Sequence, residues 1–362
     1  MTYYLDTPYC FDPDSAELRA ALTNPPVREV STAGFAADLR FFRQLLEDAC
    51  AGYDRLLRHP EYDAAKFFAQ WQDSVLAAGE TISVRSAAFG PMNELQRLAP
   101  SKHLVIVGAG PPGEPGPGGP PYSWRNIDDT AVIRLTTFQT FDADIAPQLD
   151  RFVDDYMLHR KCERVVFDLR GNKGGSTSYV RDWIARAKAA AAWQTYGYTE
   201  VYGRIAYCSM WNPVVEWQIR NGTVDSAEAI AERAKLRAEW PTLHDAPAIR
   251  MSDGRYSGYG CDPFDGPIFV LVDRHSGSSG ERAAIDLQRV LGAVLVGEPT
   301  AGAVQYTEMR RFILPKTGVQ CLVPTKRQEF GREVEGAGWP VDIELSAADL
   351  TRDAVNLLPL LR

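Results

Sequence analysis

The sequence predicts an α/β fold built on an at least partly parallel sheet, with a helical region in front of it. Three observations carry this expectation. From about Thr130 onward, short apolar runs alternate with amphipathic stretches, the pattern of strands joined by crossover helices. Runs such as "PIFVLVD" are apolar without alternation, as suits strands buried on both faces. Residues 36 to 98 instead repeat their apolar positions at helical spacing. The 362 residues are 45% apolar and 24% charged, ordinary for a globular chain and enough for about two domains.

In chain order, residues 1–98 read as an N-terminal helical domain. "DLRFFRQLLEDACAGYDRLL" puts Leu39, Phe42, Leu45, Leu46 and Cys50 on one stripe, and "AAKFFAQWQDSVLAA" repeats the habit after the break at His59-Pro60. Residues 99–362 read as the α/β core. A short strand in "SKHLVIVGAG" is followed by a Gly/Pro-rich segment over 108–123, too poor in apolar side chains for a core of its own and therefore an exposed loop. The strand "TAVIRLTTF", the helix "ADIAPQLDRFVDDYMLH", the strand "RVVFDLR" and a helix from Tyr179 into "ARAKAAAAW" come next. Between about 194 and 263 the alternation lapses into aromatic-rich segments, an insertion that either walls a substrate cleft or caps the core on apolar contacts of its own. The core resumes with "PIFVLVD", a helix after Ser278 and the strand "AVLVGEP".

Composition excludes several classes of function. A formal net charge of −8 argues against nucleic-acid partners and anionic membrane surfaces. No apolar run approaches the roughly 20 residues of a membrane helix. The N-terminus shows neither a basic n-region nor an apolar h-region, so a cytoplasmic location is expected. Six cysteines (Cys10, Cys50, Cys162, Cys208, Cys261, Cys321) form no CxxC pair. A disulfide framework stays open in principle, with free thiols favoured in a reducing compartment. No His/Cys cluster has zinc spacing, and neither metal nor cofactor is expected. Assembly with further copies of the chain is left open.

One stretch concentrates the functional signal, "VLVDRHSGSSGERAAIDLQRVLG". Ser278 and Ser279 stand where a buried strand gives way to a helix. A serine there can be an N-cap, accepting an orphan amide of the first turn. It can equally be a nucleophile, placed beside unpaired N–H groups and the positive end of a helix dipole. A nucleophile needs a base, an orienting group and oxyanion donors. The histidines are His59, His103, His159, His244 and His275, so no histidine follows Ser278. His275 is near enough in sequence to line a site. His159 ends a helix beside Arg160, where a cation would suit the negative dipole end. His103 stands where a helix gives way to a strand and can be aimed into a cleft. Donors are offered by "VVFDLRGNKGG", where Gly174 and Gly175 either shape a tight βα turn or form an anion-binding nest. The motif is not a P-loop, since no GK[ST] follows.

Four segments in order, "VFDLRGNKGG", "VLVDRHSGSSGERAAIDLQ", "VGEPTAGA" and "VEGAGWPVDIEL", resemble the S41 peptidase family over roughly Ser101 to Leu345, the insertion excepted. The resemblance implies a crotonase-like core of ββα units and places the nucleophile at Ser278. It gives the oxyanion amides to Ser279 and to the Gly174–Gly175 pair. One branch of the family activates its serine with a lysine in a "TxGK" segment, where this chain reads "PTAGAVQ" and has Ala303. The resemblance therefore implies the tricorn-like alternative, with His103 as base and Glu335 as the carboxylate behind it. The residue before the histidine is Lys102, whose ammonium only donates, so Ser101 or a water would carry any relay from Glu335. The Gly/Pro-rich loop is too short for the PDZ domain of the processing proteases. The implied function is a serine hydrolase acting on a peptide or related amide. Acyl transfer from the same intermediate, and ligand binding without catalysis, are the alternatives that this family's fold leaves open.

Overall fold

The computed structural model describes residues 26–98, 101–110, 118–139, 144–194, 198–201, 249–252, 255–258 and 262–361. The chain forms two compact units that do not follow chain order. One comprises Met1–Gly113, Tyr198–Met251 and Tyr306–Gln328, the other Glu114–Gly197, Ser252–Gln305 and Glu329–Arg362.

In the first unit, helices span Thr32–Ala49, Tyr53–Arg58, Ala64–Leu76 and Val84–Leu98. The expected stripe of Leu39, Phe42, Leu45, Leu46 and Cys50 is buried. The helices do not complete this core by themselves. Their apolar cluster takes in Phe312, Leu314, Val319, Cys321 and Val323, from the antiparallel strands Tyr306–Ile313 and Gln320–Gln328. Asp38, buried on the first helix, accepts the Lys316 and Thr317 amides at 2.9 Å each and the Thr317 hydroxyl at 2.6 Å. A helix face and a hairpin turn far apart in sequence are thus joined by one carboxylate, whose own pKa burial raises. Val105–Ile106 adds a short strand to the same sheet.

The second unit carries a six-stranded sheet whose spatial order follows the chain. Its strands are β1 (Tyr122–Ile127), β2 (Thr130–Leu135), β3 (Arg164–Asp168), β4 (Ile268–Val272), β5 (Val294–Gly297) and β6 (Ile343–Glu344). All pairings are parallel except the β1–β2 hairpin. That hairpin turns through Asp128 and Asp129, both at positive φ, as a two-residue loop demands. Helices α1 (Ala146–Asp154), α2 (Ser178–Ala187) and α3 (Ser279–Leu291) form the crossovers. Side chains alternate between two apolar clusters. Ile268, Val270 and Val272 of β4 join Val165, Phe167 and Trp183, while Phe269 and Leu271 join Val166, Val296 and the C-terminal Ala354 and Leu357. All five residues of β4 are buried, as the unbroken apolar run requires. Each large aliphatic side chain so buried contributes about 1.5–3 kcal/mol relative to exposure. The parallel strands β3, β4 and β5 send their C-terminal loops to one edge of the sheet, where ligand sites of α/β folds lie.

His159 departs from its sequence-based reading as a charged group at a helix end. It is fully buried, Trp183 Nε1 donates to its Nδ1 at 3.3 Å, and its Nε2 lies 2.9 Å from the Tyr122 hydroxyl. The Tyr122 hydroxyl in turn donates to Asp155. Burial lowers the His159 pKa to about 4, so it is a neutral core group. Cys50, Cys162 and Cys321 are buried free thiols. The loop expected over 108–123 lies partly, and the insertion expected over 194–263 mostly, outside the described residues. Of the latter, Tyr198–Val201 pairs with the strand Gln320–Gln328 in the first unit, and Ala192–Gln194 pairs with Arg255–Ser257 in the second.

Candidate active site

The loop after β4 is shaped by a carboxylate. Asp273 Oδ1 accepts the amides of Gly171 at 2.8 Å and His275 at 3.0 Å, and so ties the turn after β3 to the turn after β4. The Ser276 hydroxyl accepts the Asp273 amide at 3.0 Å and lies 2.9 Å from the Leu169 carbonyl oxygen. Gly277 N donates to the Asn172 carbonyl at 2.9 Å. His275 therefore serves this turn through its main chain, while its Nε2 lies 3.4 Å from Arg274 Nε.

Ser278 follows at φ 52°, ψ −123°. That is a region glycine tolerates and serine enters only under strain, at a cost of about 1–3 kcal/mol. An N-cap residue has extended backbone and accepts an amide of the next turn. Ser278 has neither feature: its side chain makes no capping bond. The capping reading is thereby removed, and what stands between β4 and α3 is a strained strand–turn–helix elbow.

The glycine turn after β3 lies directly against this elbow. Gly174 and Gly175 have φ of +100° and +132°. A Cβ on Gly174 would come within 2.7 Å of both Ser278 Cβ and Ser279 N, so only glycine lets the two turns approach. Fully buried Asn172 donates from Nδ2 to the Leu135 carbonyl at 3.0 Å and accepts the Gly174 amide on Oδ1 at 2.9 Å. That bond takes Gly174 N–H out of the set of amides able to meet a substrate oxygen. Gly175 pairs with Phe138, the exchanged bonds using Gly174 O and Ser176 N and leaving Gly175 N–H outside the pairing. The Ser279 hydroxyl donates to the Gly175 carbonyl at 2.5 Å and locks the first residue of α3 to the glycine turn. The Ser279 amide is one of the first-turn amides for which a helix supplies no partner.

Behind the elbow, fully buried Glu281 accepts the Thr300 hydroxyl at 2.6 Å and the Ala303 amide at 2.9 Å. It thus clasps the loop after β5 to α3. A Cβ on Gly277 would lie 3.1 Å and 3.9 Å from the methyl groups of Ala301 and Ala303, so Ala303 flanks the elbow without a titratable group. Glu335 is also buried, and its Oε2 accepts the Gln305 amide at 3.0 Å.

Ser101, Lys102 and His103 belong to the first unit. Ser101 and His103 are buried while Lys102 between them is exposed. A short turn closed by Leu104 N on the Ser101 carbonyl, at 3.0 Å, holds the segment. Burial keeps the His103 pKa below the ordinary imidazole value, and a hydrogen bond to the Tyr306 main chain opposes that shift without cancelling it. The second unit thus brings together Ser278, Ser279, Gly174 and Gly175, and also holds Glu335. Asn172, Asp273, Ser276 and Glu281 build this site and were not singled out as site builders from the sequence. Taken singly, Asn172, Asp273 and Ser276 are polar residues in turns and Glu281 is an acid at a helix start, patterns that solvated surfaces share.

A strained serine thus stands at the end of a buried parallel strand of a mixed α/β fold, backed by a glycine turn. The model for peptidase family S41 matches residues 129–345, more than half of the chain, and the protein belongs to that family. It is accordingly a peptidase, a hydrolase. No curated protein searched by sequence matches the chain. Among solved structures, a candidate peptidase from Parabacteroides merdae is similar with 13% identity and a TM-score of 0.57, over 91% of this chain and 96% of that one. Mature CPAF is similar with 13% identity and a TM-score of 0.56, over 88% and 94%. At such identities the likeness is one of fold.

Proposed function

We propose that the protein is a serine peptidase that cleaves a peptide or related amide through an acyl-enzyme on Ser278. The observation that carries this reading is the Ser278 backbone: a strained serine that makes no capping bond, with the glycine turn tied to the next residue by the Ser279 hydroxyl on the Gly175 carbonyl. Ser278 Oγ attacks the carbonyl carbon while His103 accepts its proton. The Ser279 and Gly175 N–H groups hold the oxyanion, where one such donor is typically worth about 10²–10³ in rate. As the C–N bond breaks, His103 returns the proton to the leaving amine. Water then attacks the ester, giving its proton to His103, and Ser278 is released with the second product. Glu335 orients the imidazole and supports its charge.

Support for His103 comes from its burial and depressed pKa, which keep it in the basic form at neutral pH, and from Ala303 at the position of the lysine in the other branch. We read the β1–β2–α1 hairpin-and-helix unit as one ββα repeat of a crotonase-like core. A fluorophosphonate probe tests the assignment on the full chain. Labelling that disappears in Ser278→Ala and falls steeply in His103→Ala is the expected result. Labelling retained in Ser278→Ala would overturn it.

A further inference from the structure

We propose that Gln305 is the positioning residue of Glu335, setting where its carboxylate is presented; the inference rests on the reading of Glu335 as the orienting group. Gln305 ends the loop after β5 and is buried, with 2% exposure. Its side-chain Oε1 accepts the amides of Val334 at 3.1 Å and Glu335 at 3.2 Å. Its own amide donates to Glu335 Oε2 at 3.0 Å. One glutamine therefore grips Glu335 reciprocally, side chain to main chain and main chain to side chain, and fixes both the backbone and the carboxylate.

The grip is referenced to the nucleophile through bonds inside one unit. At the start of the same loop, Glu281 on the helix opened by Ser278 holds Thr300 and Ala303. Thr300 is joined to Trp339 twice, by Thr300 N to the Trp339 carbonyl at 3.1 Å and by Trp339 N to the Thr300 hydroxyl at 2.7 Å. Gly336 N donates to the Gly302 carbonyl at 2.7 Å, and a Cβ on Gly302 would lie 2.6 Å from Gly338 N. The segments 276–281, 300–305 and 334–339 are thus stacked by hydrogen bonds with no room for slippage. Gln305 is the last contact in that series, and the only one whose side chain touches the Glu335 backbone directly among the bonds described. A displacement of a catalytic group by about 1 Å can cost about 10²-fold in rate.

The test measures fluorophosphonate labelling of Ser278 on the full chain, separating the maximal labelling rate from probe affinity and recording both against pH. The variants are Gln305→Met, which keeps length without a strong acceptor, Gln305→Asn, which retracts the acceptor, Glu335→Gln, and each Gln305 variant combined with Glu335→Gln. Unfolding midpoints are measured in parallel. We expect Gln305→Met to lower the maximal rate about 10²-fold, with affinity nearly unchanged and the acid limb moved as in Glu335→Gln. Added to Glu335→Gln it should cost little more, since members of one unit are not additive. Gln305→Asn should fall between, and it carries the comparison if Gln305→Met does not fold. A lower unfolding midpoint with wild-type rate and pH profile would overturn the inference, as would losses that multiply with Glu335→Gln. A wild-type rate in Glu335→Gln would instead overturn the role of Glu335 itself.

Discussion

Two serines open helices in this chain, and they do so in opposite ways. Ser31 precedes the helix Thr32–Ala49 with φ −68°, ψ 136°, and its hydroxyl accepts the Gly34 amide at 3.1 Å. Ser278 precedes α3 with φ 52°, ψ −123° and accepts no such bond. The first geometry is what a capping residue adopts when stability alone decides. The second gives up the cap and takes on backbone strain, which a fold retains where another requirement over-determines the position. Here the requirement is visible in the surroundings. Asp273, Ser276 and Asn172 hold the turn from one side, Glu281 holds it from the other, and the glycine turn closes on it.

The sharpest way to break the contrast is to remove the Ser278 hydroxyl. Ser278→Ala should lower turnover of a peptide substrate by about 10⁶-fold, as loss of a seryl nucleophile does, with the fold intact by circular dichroism. Ser31→Ala should leave turnover unchanged. Residual turnover in Ser278→Ala within tenfold of the wild type would return Ser278 to the ranks of ordinary turn residues.

Next in size is the glycine against which the elbow rests. Gly174→Ala places a methyl 2.7 Å from Ser278 Cβ and Ser279 N at a φ of +100° that alanine resists. Either the elbow or the glycine turn must shift. We expect at least about 10²-fold loss of kcat by misplacement, together with a lower unfolding midpoint. An unchanged kcat would show that the approach of the two turns has no bearing on the chemistry.

A third test uses pH, since a cap needs no base and a nucleophile does. Burial lowers the His103 pKa below the ordinary imidazole value, so the neutral form persists to lower pH than in a free imidazole, whose pKa is about 6.5. The acid limb of kcat/KM should fall below that value, with activity dropping about tenfold for each further unit of pH. The same shift bears on stability with a defined sign. The unfolded chain takes up a proton on His103 before the folded one does, so stability is lost as pH falls from about 6.5 toward the depressed folded value. A limb above pH 7 would assign the base to another group.

How much of this was legible differs between the frame and the site. β4 and α3 were readable because five consecutive apolar residues and a clear helical stripe leave few alternatives. The N-terminal helices were readable too, but not the partner of their apolar face, because Phe312 and Val323 come from strands more than two hundred residues downstream. Ser278, the glycine pair and Glu335 were singled out through family-like segments. That the Gly174 amide is taken up inside the fold was not legible, because it turns on the Asn172 side chain that accepts it. Glu281 and Gln305 escaped a role for a similar reason. Buried, they build the site, yet in the sequence they are a helix-start acid and a loop amide.

The smallest effect separates strain from capping most cleanly. Replacing Ser31 by alanine removes the bond to Gly34 N and should cost about 1 kcal/mol of unfolding free energy. At Ser278 the sign should reverse for glycine. Ser278→Gly relieves a strain of about 1–3 kcal/mol and pays back about 0.4–1 kcal/mol through the greater freedom of the unfolded chain. The net expectation is a protein more stable than the wild type by about 1 kcal/mol and without activity. Ser278→Ala keeps the Cβ and so keeps the strain; it should unfold near the wild-type midpoint. Urea unfolding of the three variants beside the wild type measures these differences. If Ser278→Gly proved as destabilising as Ser31→Ala, the backbone at Ser278 would be relaxed, and the inference from strain to nucleophile would lose its foundation.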